Sequence, residues 1–193
     1  MKPFQFVAVG TSLGGFNALT TMLSALPKDF SLPIAVVQHR SNEDSDSLAS
    51  LLEKRSPLPV VEIDDKESIE NGQIYVCPSN YHVLVEEGRF ALSTDAPVLH
   101  ARPSIDVLFE SAADSFGENV VGILLTGMSK DGSAGLKRIK ERGGFAIVQD
   151  PAAAEGRVMP KAAIDAVLVD KILPLEEIAP FLTTLCAGQR NNL

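Results

Sequence analysis

The chain has 193 residues, 45% of them apolar, which is enough to bury one sizeable core. Its formal net charge of −8 argues against a surface that tracks a phosphate backbone, because such surfaces need clustered Lys and Arg, so nucleic acid is set aside as a partner. Cys77 and Cys186 show no metal-ligand spacing and no disulfide framework, and they fit a reducing cytosol.

The apolar stretch 4–9 is interrupted by Gly10 and Thr11, too early for a signal-peptide core, and no later run approaches the roughly 18 residues of a membrane span. The expectation is one domain over residues 1–193, cytoplasmic, without membrane insertion. Residues 4–10 read as a short buried strand, and 14–26 carries Phe16, Leu19, Met22, Leu23 and Leu26 at the spacing of one helix face. Pro27 and Pro33 punctuate the connection to a second apolar strand at 34–37, and 47–55 follows as a helix with Leu48, Leu51 and Leu52 on one side. This βαβ pattern predicts a parallel sheet. Between Pro57 and Pro97 come four short strands, 60–63, 74–77, 82–86 and 90–93, with Glu87-Gly88-Arg89 as a hairpin turn, and together they read as an antiparallel insertion or edge. Ser104 then caps the most periodic helix, with Ile105, Leu108, Phe109, Ala112, Ala113 and Phe116 on one face. Residues 120–125 form a run without alternation, as a strand covered on both faces should, and 132–142 is the helix after it. A strand at 145–148, a helix near 161–166, a strand at 167–169 and a helix over 175–185 complete the series. The predicted class is α/β, a mostly parallel doubly wound sheet flanked by helices with a short antiparallel hairpin insertion or edge.

In such a sheet, ligands bind outside the carboxyl ends of the strands, where loops converge and helix N-termini present unpaired N–H groups. The first strand is followed by Gly10-Thr11-Ser12-Leu13-Gly14-Gly15, the second by Gln38-His39, and the strand at 120–125 by Thr126-Gly127-Met128-Ser129-Lys130-Asp131-Gly132. The three ends supply a hydroxyl, an imidazole and a carboxylate. A serine hydroxyl is a poor nucleophile unless a base takes its proton, and the base works best when a buried carboxylate fixes its tautomer. Ser12 stands in a G-x-S-x-G whose glycines permit a sharp strand-to-helix turn, and the N–H groups of the following helix suit a developing oxyanion, at about 3 to 4 kcal/mol per donor.

Each residue also has an ordinary structural reading. Ser12 fits a helix N-cap in a loop of the kind that cradles phosphate, His39 a hydrogen-bonded strand-end histidine, and Asp131 the N-cap of the helix that follows it. Their coincidence at parallel strand ends favours catalysis by Ser12, His39 and Asp131. Of the remaining histidines, His82 starts an antiparallel strand and His100 lies in a loop, so both are read as structural; Arg102 reads as a solvated loop arginine, with substrate binding as its other reading, and Cys77 as a buried small hydrophobe.

Two other uses of the glycine loop compete. A dinucleotide fold wants an acidic residue at the end of the second strand, where this chain has Gln38-His39, and Gly10, Gly14 and Gly15 do not match G-x-G-x-x-G. A non-catalytic α/β module binding a phosphate-bearing ligand at residues 10–15 is therefore the second choice. The common α/β-hydrolase order of serine, acid, histidine is also excluded, because only one strand precedes Ser12.

VAVGTSLGG, VVQHR, ARPSIDVLF and GILLTGMSKDGSAGL, in this order and spacing, resemble the catalytic domain of CheB-type chemotaxis protein-glutamate methylesterases over nearly the whole chain. The resemblance implies that Ser12, His39 and Asp131 form the triad and that the backbone N–H groups of Met128 and Leu13 hold the oxyanion. It implies no cofactor and no metal. It further implies hydrolysis of glutamate γ-methyl esters on the cytoplasmic region of chemoreceptors or a similar methylated protein, with methanol released and glutamine deamidation as a second activity. Leu13 stands where the family usually has a threonine. The family's usual N-terminal receiver domain is not matched, so the expected regulators are separate receiver or methyltransferase proteins. A member that binds such partners without catalysis is the third reading, and the intact triad residues count against it.

Overall fold

Apolar runs too short to bury themselves alone pair side by side in the computed structural model, which describes residues 4–40 and 47–190. Strands β1 (Phe6–Thr11), β2 (Ile34–Gln38), β3 (Val60–Glu62), β4 (Ile74–Val76), β7 (Val120–Leu124), β8 (Phe145–Gln149) and β9 (Lys171–Leu173) form one sheet in the order β3-β4-β2-β1-β7-β8-β9, every pairing parallel. Strands β5 (His82–Glu86) and β6 (Arg89–Ser93) make a separate antiparallel pair. The helices are α1 (Gly15–Ser24), α2 (Leu48–Glu53), α3 (Ile105–Phe116), α4 (Ser133–Glu141), α5 (Val158–Ala166) and α6 (Leu175–Arg190).

Alternate side chains of β1 enter two different cores, because successive residues of a strand point to opposite faces. Val7 and Val9 join Leu19 and Met22 of α1, Leu52 of α2 and Leu182 of α6; Phe6 and Ala8 join Leu108 and Phe109 of α3, Leu136 of α4 and Met159 of α5. Both faces of the sheet are thus covered, as the uninterrupted apolar runs of β1 and β7 require. From β1 the chain passes to β2, then out to the edge strand β3 and back to β4, which fills the place between β3 and β2, before it crosses to β7, β8 and β9 on the other side. The reversal lies between β1 and β7, the position at which a doubly wound sheet opens a crevice at its carboxyl end.

Two sequence expectations need correction. β3 and β4 belong to the parallel sheet, and only β5 and β6 are antiparallel. Ile74, Tyr75 and Val76 are fully buried, so β4 is an inner strand, and three residues are too few to show that by pattern. The β5–β6 turn falls on Glu87 and Gly88, both with positive φ as a two-residue hairpin turn demands, which agrees with the turn signal. The strand expected at 167–169 lies instead at Lys171–Leu173. Val167 and Val169 pack against the second core, and Asp170 then takes Lys140 Nζ at 2.7 Å and Ala146 N at 2.7 Å, so pairing with β8 begins only past that anchor.

Candidate active site

Thr11 and Gln38 are paired across β1 and β2, so Ser12 and His39 leave adjacent parallel strands one residue past a common register position. His39 N donates to Thr11 O at 3.0 Å, and Ser12 N donates to Thr126 O at 2.9 Å, at the end of β7. The loops after β2, β1 and β7 therefore lie side by side at one rim. Gly14 has φ 75°, a left-handed turn into α1 that favours glycine, and a Cβ on Gly10 would lie 2.3 Å from Ile105 Cγ2, so the chain needs a bare backbone there to pass beneath α3.

Asp131 is fully buried, and its Oδ2 lies 2.7 Å from His39 Nε2. The same oxygen accepts the Ile105 N–H at 2.7 Å, while Oδ1 accepts Ser104 Oγ at 2.8 Å, Asp106 N at 3.0 Å and Gly132 N at 3.1 Å. Burial pushes this carboxyl's pKa up, but the hydrogen bonds from His39, Asp106 N, Ile105 N and Ser104 outweigh it and leave the group below its ordinary value. Asp131 is therefore ionised, and His39 Nε2 must carry the proton it shares with that carboxylate, leaving Nδ1 as the ring's free lone pair. Among the described residues no hydrogen bond joins this ring to Ser12 Oγ.

The ordinary structural reading of Asp131, set beside the catalytic one, is the N-cap of the helix that follows it. Gly132 holds that position in α4, and Asp131 instead binds the first N–H groups of α3. Asp106 of α3 returns the arrangement, accepting Gly132 N at 2.8 Å and Gly135 N at 2.7 Å at the start of α4. Each carboxylate thus sits at the positive end of the other's helix. Burial pushes the Asp106 carboxyl up to about 6, opposed by the Gly135 and Gly132 N–H groups and assisted by the nearby charge of Asp131. Ser104 occupies the N-cap of α3 as expected, yet its hydroxyl donates to Asp131 and caps no helical N–H.

Thr126 organises the nucleophile loop. Its carbonyl accepts Thr11 Oγ1 and Ser12 N, its hydroxyl donates to Leu13 O at 2.9 Å and accepts Gly156 N at 2.7 Å, and its N–H donates to the buried Gln149 Oε1 at 2.9 Å. Met128 and Leu13 are exposed at the rim, 58% and 50%, and neither backbone N–H has a partner among the described residues. These are the two N–H groups expected to meet an oxyanion. A Cβ on Gly14 would lie 2.5 Å from Glu155 Oε2, so an anion already stands against the glycine loop, which disfavours a phosphate ligand there.

The other candidates sort by burial. His82 is buried, with Nδ1 accepting Ser104 N at 3.2 Å and Nε2 facing Ala96 O at 3.2 Å, a structural histidine as read from sequence. Cys77 is buried, and burial pushes its thiol pKa up, as befits a small hydrophobe. Arg102 is not the solvated arginine favoured from sequence: it is partly buried and lines a cleft with His39 and His100. Asp106 and Thr126 were not singled out, because nothing in their spacing reveals which helix end or loop they serve. Among the described residues no group of His, Cys, Asp and Glu is placed to hold a metal, and no helix is long and apolar enough to cross a membrane.

Residues 7–182 match the family model described as CheB methylesterase. A Leptospira interrogans protein provisionally named protein-glutamate methylesterase/protein-glutamine glutaminase is 43% identical over 191 residues, covering 98% of this chain and 97% of that one. Protein-glutamate methylesterase/protein-glutamine glutaminase 2 of Anaeromyxobacter dehalogenans is 41% identical over 94% of this chain, and protein-glutamate methylesterase FrzG of Myxococcus xanthus is 39% identical over 93%. The chain spans 53% and 54% of those two relatives. The crystal structure of the Thermotoga maritima CheB methylesterase catalytic domain superposes with a TM-score of 0.89 at 33% identity, covering 94% of this chain and 98% of that one.

Proposed function

Because this chain belongs to the CheB methylesterase family, we propose that it is a serine hydrolase that cleaves glutamate γ-methyl esters on methylated chemoreceptor-type proteins and releases methanol. The observation that carries the reading is the 2.7 Å contact between His39 Nε2 and the buried, ionised Asp131, formed beside the loop that bears Ser12. In this mechanism Ser12 Oγ attacks the ester carbonyl carbon, and His39 Nδ1 takes the hydroxyl proton while Asp131 stabilises the imidazolium. The N–H groups of Leu13 and Met128 receive the oxyanion. Collapse of the tetrahedral intermediate passes the proton to methanol, and water, activated by the same imidazole, releases glutamate from the acyl-enzyme. Nucleophile–base hydrogen bonds of this kind commonly tighten only around bound substrate. Leu13, in place of the family's threonine, keeps the N–H that this scheme uses.

The same attack on a glutamine side chain releases ammonia, the second activity named for the relatives. Residues 1–193 are read as one catalytic domain, working in the cytoplasm on the cytoplasmic region of its target, with a separate receiver or methyltransferase protein as its regulator. The test is methanol release from receptor cytoplasmic fragments methylated beforehand. Wild type turns over, and Ser12→Ala, folded by circular dichroism, is expected to lose nearly all activity. A variant that keeps most of the activity removes Ser12 from the role.

A further inference from the structure

Ester hydrolysis makes no use of most of the cleft beside His39. This cleft, about 670 Å³, is lined by His39 and Ser129 at its inner end and by Arg40, His100, Arg102 and Leu99 beyond. In a chain of net charge −8, two guanidinium groups line it and, among the described residues, no carboxylate does. Arg102 Nη1 donates to Thr94 O at 2.9 Å and Asp95 O at 3.0 Å, which fixes the plane of the group. Its Nε is buried without a partner among the described residues, and no hydrogen bond from Nη2 occurs among them. A guanidinium has five N–H donors in a rigid fork suited to carboxylate, so this one is held in place by Nη1 with the Nη2 donors to spare, while the sealed Nε is not within reach of a ligand. Arg40, next to His39 in the chain and with only 12% of its side chain exposed, has one carboxylate partner among the described residues: its Nη2 lies 3.5 Å from Glu62, which is half-exposed and outside the cleft.

We propose that this cleft is an anion subsite that receives a free carboxylate of the substrate segment next to the reacting methyl ester, so that esters flanked by acidic side chains are preferred. The proposal rests on the methylesterase reading of Ser12, His39 and Asp131 and specifies its substrate. A protein carrying esterified glutamates also carries unesterified ones, since every turnover makes another. Net negative charge repels such a substrate at long range, but screening confines that effect to about 8 to 10 Å, within which the cationic cleft decides the local energy. Leu13, Met128, Leu99 and Tyr81 are exposed apolar side chains on loops of the same rim, which suits a polypeptide segment better than a small free anion.

The test uses two synthetic peptides, each with one glutamate γ-methyl ester, flanked by glutamates in one and by glutamines in the other. The full chain is expected to show a kcat/KM about tenfold higher for the acid-flanked peptide, equivalent to about 1.4 kcal/mol and residing in KM. Arg102→Gln and Arg40→Gln should each bring the ratio between the two peptides toward one, and Glu62→Gln, which frees Arg40, should widen it. The ratio is insensitive to the fraction of folded enzyme. Equal kcat/KM on both peptides overturns the subsite while leaving the esterase reading standing. If neither peptide releases methanol, the esterase reading fails and the subsite is judged separately, by NMR of the arginine Nε–H resonances during titration with unesterified peptide. Shifts at Arg102 or Arg40 with the glutamate-flanked peptide alone support it, and no shift overturns it.

Discussion

Asp131→Asn preserves the shape of the side chain and removes one acceptor oxygen along with the charge. Oδ1 serves three donors and Oδ2 serves two, Ile105 N and His39 Nε2, so a single amide oxygen cannot satisfy both sets. With the oxygen in the Oδ1 position, the NH₂ group faces the Ile105 N–H, and His39 must offer Nε2 as acceptor. The proton then sits on Nδ1, the atom that should accept from Ser12. A triad histidine held in the wrong tautomer loses about 10⁴-fold in kcat, or about 5.4 kcal/mol of barrier lowering. Stability falls as well. Losing the charged acceptor at Ile105 costs about 1.5 to 3 kcal/mol, and the missing negative charge at the α3 N-terminus adds about 0.3 to 1 kcal/mol. The sum, about 2 to 4 kcal/mol, lowers Tm by about 4 to 16 °C for a chain of this size. Methanol release and differential scanning calorimetry on the same preparation check both figures. A variant within tenfold of wild-type kcat would refute the tautomer argument, and an unchanged Tm would refute the capping argument.

Asp106 and Asp131 pull the pH dependence of stability in opposite directions. Asp131, with its pKa lowered in the fold, contributes stability that is present above the unfolded carboxylate value and is lost as pH falls below about 4. Asp106, raised to about 6 from 3.8, binds more proton folded than unfolded, so its contribution is lost as pH rises from about 4 through 6, by about 3 kcal/mol. Asp106→Asn, which keeps an acceptor for Gly132 N and Gly135 N, is expected to gain stability relative to wild type by that amount between pH 4 and pH 7 in urea unfolding; a constant difference across the range refutes the shift. Thr126→Val leaves Leu13 O and Gly156 N without their partner and is expected to cost about 2 to 4 kcal/mol and to lower kcat more than it raises KM, with Thr126→Ser restoring both; a valine variant with wild-type kcat removes Thr126 from positioning the loop. A Cβ at Gly127 would stand 2.9 Å from Ser12 Cβ and 2.7 Å from Met159 Sδ, so Gly127→Ala should displace the serine and lower kcat about 10²-fold, and an unaltered rate would show that the loop absorbs the methyl group.

The alternation of short apolar runs with helices of 3.6 periodicity made the wound sheet legible, because strands covered on both faces must be apolar throughout. β3 and β4 escaped that reading: three-residue strands carry too little pattern to separate parallel from antiparallel pairing. The strand expected at 167–169 was drawn by the apolar run Val167-Leu168-Val169, of which only the two valines pack against the core while Leu168 faces solvent, and the true edge strand contains Lys171 and follows the Asp170 anchor. Arg102 reads as solvated from sequence because it stands in a loop before Pro103, and the cleft that it lines is assembled partly from the distant loop after β2.

The sequence by itself determined which groups stand at the strand ends: a hydroxyl in a glycine turn, an imidazole and a carboxylate, each one loop past an apolar run. Only the tertiary structure decided what the carboxylate touches. Ser104 and Asp131 are separated by 27 positions and His39 and Asp131 by 92, and local pattern does not reach over such distances. The exchange of caps between α3 and α4 arises from packing one helix N-terminus against another, and the five hydrogen bonds at Thr126 and the cleft around Arg102 from loops that converge at the carboxyl ends of the strands. Their partners are chosen by three-dimensional proximity and by the demand that buried N–H groups be satisfied, neither of which is written in any single stretch of chain.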